Sequence, residues 1–143
     1  MSQRFLLDTS ALIAHFRREP GWDHVQALFE GDAEILGASV TLVELARRLR
    51  ELGATVEEAR RTVQDYRDLL DDLVAVDEKV ALAAFDIGCA AASRLPLVDA
   101  LIAASAHERN ACLVHRDRHM ASIPESLLAQ LQLPAEPGFH GAP

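Results

Sequence analysis

Hydrophobic patterning begins at residues 5–14, FLLDTSALIA, where three apolar residues run straight into Asp8 and a second apolar run after Ser10 takes helical spacing. This predicts a short strand and then a helix over 10–16, which stops before Pro20 and Gly21. Trp22, Val25, Leu28 and Phe29 mark one face of a second helix over 22–30, ended by Gly31. Residues 35–38 suit a second strand. Ser39 is placed to cap the following helix, in which Leu42, Val43, Leu45, Ala46 and Leu49 recur at helical spacing before Gly53. Thr55 and Glu58 have capping-box spacing and open a helix through Val63, Tyr66, Leu69 and Leu70. Residues 73–76 form a third predicted strand, and Asp77 can cap a helix over 79–93. Pro96 resets the chain before an Ala-rich helix over 97–108, and CLVH at 112–115 reads as a fourth strand. A last helix is predicted over 124–131. Strands alternating with helices imply an α/β protein, a three-layer α/β/α sandwich about a central parallel sheet. The domain is expected over 1–131, with 132–143, rich in Pro and Gly, as a flexible tail or a partner-docking arm.

A length of 143 residues fits one such domain, with half the residues apolar and a quarter charged. The weakly polar stretches 80–93 and 95–106 are interrupted by Asp86 and Asp99, short of the ~20 apolar residues that a bilayer requires. No membrane span is expected. The apolar run before Asp8 is too short for a secretory signal, so a cytoplasmic protein is expected. Cys89 and Cys112 stand apart in apolar surroundings, without zinc-site spacing, and are expected to be buried, reduced thiols. The net charge of −8 argues against a broad basic face gripping nucleic acid through phosphate neutralisation alone. Arg47, Arg48 and Arg50, the pair Arg60 and Arg61, and Arg116 and Arg118 beside Asp117 are either local basic patches or solvated faces.

In an open α/β sheet, ligands bind beyond the carboxyl ends of the strands. Asp8 follows the first strand and Asp117 the fourth, so both fall at that edge. Glu44 lies early in the helix after the second strand, and Asp99 in the first turn of the helix feeding the fourth. Each has an ordinary alternative: Asp8, Thr9 or Ser10 can cap a helix, and the macrodipole welcomes Asp99. Asp86 is expected on a polar stripe. Carboxylates gathered at one edge repel unless a cation offsets them. Hard oxygen donors without His or Cys pairs favour magnesium or manganese over zinc.

The segments LLDTSALIA, SVTLVELARRL, LPLVDALIAASA and CLVHRDRHMASIP resemble the four signature stretches of the PIN-domain family, most closely its VapC-type toxins, in order across residues 5–124. The resemblance implies a Mg2+- or Mn2+-dependent endoribonuclease, with Asp8, Glu44, Asp99 and Asp117 as its acids and Asp8, Asp99 and Asp117 holding the metal. It further implies an RNA substrate, a cognate antitoxin and a homodimer. Two positions depart from the pattern: His115 stands where a hydroxyl usually supports the site, and His119 where a fifth acid is often found. These departures motivate an alternative, a non-catalytic PIN-like module that binds RNA or protein.

Overall fold

The computed structural model describes residues 3–135. Five strands form one wholly parallel sheet in the order β3-β2-β1-β4-β5. They are β1 (Arg4–Leu7), β2 (Glu34–Ala38), β3 (Asp72–Val74), β4 (Cys112–His115) and β5 (Gln130–Gln132). The helices are α1 (Thr9–Arg17), α2 (Trp22–Glu30), α3 (Ser39–Glu51), α4 (Val56–Leu69), α5 (Glu78–Ala90), α6 (Leu97–Glu108) and the single-turn α7 (Arg118–Ala121). Successive strand residues face opposite ways, and the two cores divide on that alternation. Leu6, Leu36 and Leu113 pack with α5 and α6, whereas Leu7, Ile35 and Val114 pack with α1, α3 and α4. The α/β/α sandwich expected from the patterning is therefore present. Gly37 permits its tight middle layer, because a Cβ there would lie 2.7 Å from Leu70 Cδ1.

Several local expectations are met by visible chemistry. The capping box closes in both directions, Glu58 N–H to Thr55 Oγ1 at 3.1 Å and Thr55 N–H to Glu58 Oε1 at 2.8 Å. Asp77 caps α5 through the Val80 amide, and Gly53 takes a φ of +105° just past α3.

Four expectations are corrected. Ser39 does not cap α3; it is the first helical residue, and Ala38, in extended conformation, precedes it without a side-chain cap. Residues 124–131 do not form a helix. One turn closes on the Pro124 carbonyl, Leu128 is buried, and the chain then pairs with β4 as β5, so the open edge of the sheet prevails over local helix preference. The folded unit also continues past 131, since Gln132 pairs with His115 and Leu133 is buried in the core; the rest of the expected tail, 136–143, lies outside the described residues. Cys89 is exposed on α5 and Cys112 half-buried, both as free thiols. Asp86 is exposed, as a polar-stripe residue should be. Among the described residues, no helix is long and apolar enough to cross a membrane.

Candidate active site

The strand order places a topological switch between β1 and β4. After β1 the chain builds outward through β2 to β3, then returns to the other side of β1 with β4. The crevice at such a switch is where ligands bind in open parallel sheets. Asp8 leaves the end of β1 there, with its amide bonded to the Val114 carbonyl at 3.1 Å. Its Oδ1 accepts the Ala11 amide at 2.9 Å and the Ser10 hydroxyl at 2.6 Å. Asp8 is thus both the cap of α1 and a buried carboxylate of the crevice. The same Ser10 oxygen accepts the Arg116 amide at 3.1 Å, which ties the segment after β4 to the one after β1.

The other three acids reach the crevice from separate elements. Glu44 projects from the second turn of α3, where its Oε1 accepts the Thr9 hydroxyl. Asp99 comes from the first turn of α6. Asp117 caps α7, its Oδ1 accepting the His119 amide at 2.8 Å, while its own amide donates to His115 Nδ1 at 3.0 Å. All four line one cavity of about 570 Å3, with Arg48, Arg116, Arg118 and His119 also on its walls. Arg116 is fastened there by Glu19, Nη2 to Oε1 at 2.8 Å. His119 is exposed, whereas His115 is fully buried.

Electrostatically, this is a crowd of like charges in a poorly solvated place. Burial pushes the Asp8 carboxyl up to about 7; the charges of Asp117 and Glu44 add to it, outweighing the hydrogen bonds from Ser10 and Ala11. Asp99 is likewise pushed up to about 7, first by burial and then by Asp117, Glu44 and Asp8. Its position in the first turn of α6, where the macrodipole favours an anion, does not offset that crowding. A divalent cation would reverse these shifts, and an all-oxygen donor set suits magnesium or manganese. Among the described residues, no three acidic, His or Cys side chains form a ready coordination shell. Mg2+ does not demand one, because it keeps several waters and commonly uses one or two carboxylates. The residues fit such an ion.

Sequence patterning located the four acids but not the bonds that hold them. Thr9 and Ser10, possible caps by sequence, instead hydrogen-bond Glu44 and Asp8, and Asp8 makes the cap. The Glu19–Arg116 pair and the His115 Nε2 contact to Gln130 Oε1, 2.9 Å, join residues far apart in the chain, and no local pattern marks them.

The PIN domain family model matches residues 5–126. No relative is found among curated proteins at the sequence level. Solved structures share the fold. VapBC2 from Rickettsia felis, bound to a DNA fragment from its promoter, aligns at TM-score 0.73 and 18% identity over 92% of this chain and 99% of that one. DNA-bound VapBC from Salmonella typhimurium aligns at 0.70 and 21% over 92% and 98%. VapBC-5 from Mycobacterium tuberculosis, a member of the VapBC family of toxin-antitoxin systems, aligns at 0.61 and 22% over 90% and 98%.

Proposed function

The chain belongs to the PIN-domain family, and from that premise we propose that it is a Mg2+- or Mn2+-dependent endoribonuclease, the VapC-type toxin of a toxin-antitoxin pair. The observation that carries this reading is the convergence of Asp8, Glu44, Asp99 and Asp117 from four separate elements on one cavity, with two of the carboxyls pushed up to about 7. Asp8, Asp99 and Asp117 would hold the ion. When bound, it lowers the pKa of a water and steadies charge on the phosphate. Glu44, kept in place by Thr9, orients the attacking water and takes its proton. In-line attack forms the bond from water oxygen to phosphorus and breaks the bond to the 3′-oxygen, which leaves with the bonding pair and takes a proton from solvent, giving a 5′-phosphate and a 3′-hydroxyl. Arg48 and Arg118, on the cavity walls, suit the flanking phosphates. Single-stranded RNA is the substrate we propose. The test is to incubate it with the purified protein in Mg2+ or Mn2+ and in excess chelator. Cleavage with 5′-phosphate ends that stops in chelator supports the reading; RNA binding without cutting in any metal supports the binding module instead.

The partner we propose is an antitoxin whose basic segment covers the acidic cavity, as Arg side chains pair readily with carboxylates. VapBC-5 from Mycobacterium tuberculosis belongs to a family of toxin-antitoxin systems, and that likeness of fold supports a partner without identifying it. A homodimer is also proposed, with the exposed apolar side chains Leu82 and Phe85 on α5 and Leu97 on α6 in its support. Expression without the partner should arrest bacterial growth, and co-expression should relieve the arrest.

A further inference from the structure

His115 ends β4 and is fully buried, two residues before Asp117. The Asp117 amide is only a donor, so His115 Nδ1, 3.0 Å away, must accept and carry no proton. The proton therefore sits on Nε2, which donates to Gln130 Oε1 at 2.9 Å. Gln130 is oriented consistently, since its Nε2 donates to the Ile123 carbonyl at 2.9 Å. Both ring nitrogens are thus committed, one to the backbone that bears a site carboxylate and the other to β5.

We propose that His115 is a positioning residue: in its neutral Nε2–H form it fixes the Asp117 backbone, and through it the direction of the carboxylate, by anchoring that segment to β5. Its Nδ1 does what a Ser, Thr, Asn or Asp oxygen does in a turn, accepting the amide two residues on. A hydroxyl could make that bond alone. The imidazole adds a second arm, because its far nitrogen reaches Gln130 and thereby the loop at Ile123. The Arg116 amide, held by Ser10, ties the same segment to α1. The importance of this arrangement to catalysis rests on the metal-nuclease reading; the positioning itself does not.

The test compares His115→Asn, whose amide oxygen can replace Nδ1 as acceptor, with His115→Leu, which fills the core better but accepts nothing. Exchange of the Asp117 amide proton is expected to stay slow in wild type and His115→Asn and to quicken at least about tenfold in His115→Leu. Mn2+ affinity, read by titration, is expected to fall about 10- to 100-fold in His115→Leu and to return largely in His115→Asn. A residue that merely fills the core would give the reverse order, leucine above asparagine, and would overturn the proposal. Nitrogen NMR of the labelled wild-type imidazole supplies a readout that needs no variant: an unprotonated Nδ1 and protonated Nε2 are expected, and a charged ring or the other tautomer contradicts the proposal. A wild type that binds no Mn2+ would count against the proposed nuclease, while amide exchange and the tautomer would still decide the role of His115.

Discussion

Ser10 donates its hydroxyl to Asp8 Oδ1 at 2.6 Å and with the same oxygen accepts the Arg116 amide at 3.1 Å. One side chain thus couples the ends of two adjacent strands, β1 and β4, each of which is followed by a site acid. Ser10→Ala leaves the Arg116 amide without this acceptor and removes a bond that lowers the Asp8 pKa. We expect a loss of about 1–3 kcal/mol in urea unfolding, the cost of an unmet polar group in a part-buried place. Cleavage should fall as well, with little change in RNA binding.

Without divalent cations, the protein should grow less stable as pH rises from about 4 to above 7. In the folded state, Asp8 and Asp99 are both pushed up to about 7, from 3.8. Between those values the folded chain binds more protons than the unfolded one, so the slope of stability against pH is negative. Their contribution is complete below the unfolded pKa and is lost as pH passes the folded one. Melting temperatures measured in chelator across that range should decline, and Asp8→Asn should flatten the decline and melt higher at pH 8.

Added Mn2+ should oppose that decline. At ten times its dissociation constant, an ion that binds only the folded state stabilises by about 1.4 kcal/mol. Thermal melts at pH 8 should show this rise for wild type and a much smaller one for Asp8→Asn. Equal rises in both would place the ion elsewhere.

The His15 cluster provides a control outside the cavity. His15 Nδ1 lies 2.6 Å from the Tyr66 hydroxyl and Nε2 2.6 Å from Gln26 Oε1, within the core that packs α1 and α4. Burial pushes the Tyr66 hydroxyl up to about 12, so it stays a neutral phenol. Tyr66→Phe should cost about 1 kcal/mol in unfolding, the net worth of one hydrogen bond, and leave the cleavage rate unchanged.

What was legible in the sequence divides by range. Asp8 and Asp117 could be read because each follows an apolar run that ends at the same sheet edge, and Thr55 with Glu58 because a capping box is a local signal. β5 could not, since residues 124–131 satisfy helix preference, yet 130–132 pair as a strand because β4 offers an open edge. Cys89 has apolar neighbours in sequence, yet helical rotation turns it outward, and counting neighbours does not reveal that. His115 stood out as a departure from the family pattern; its bond to Gln130 depends on β5 and could not be foreseen without it.

Metal-dependent cutting at the four-carboxylate cavity is tested by cleavage of end-labelled single-stranded RNA by wild type and Asp99→Asn, at equal concentration, in Mn2+ and in excess chelator. Asp99 is chosen because it lies on α6, outside the hydrogen bonds that join Asp8, Ser10 and Arg116, so its substitution should spare the fold and relieve repulsion in the cavity. Wild type is expected to cut in Mn2+ alone, with a loss of at least about 100-fold in Asp99→Asn, the scale expected when charge stabilisation at a reacting phosphate is removed. Equal cutting by both proteins, or cutting by wild type that persists in chelator, would contradict it.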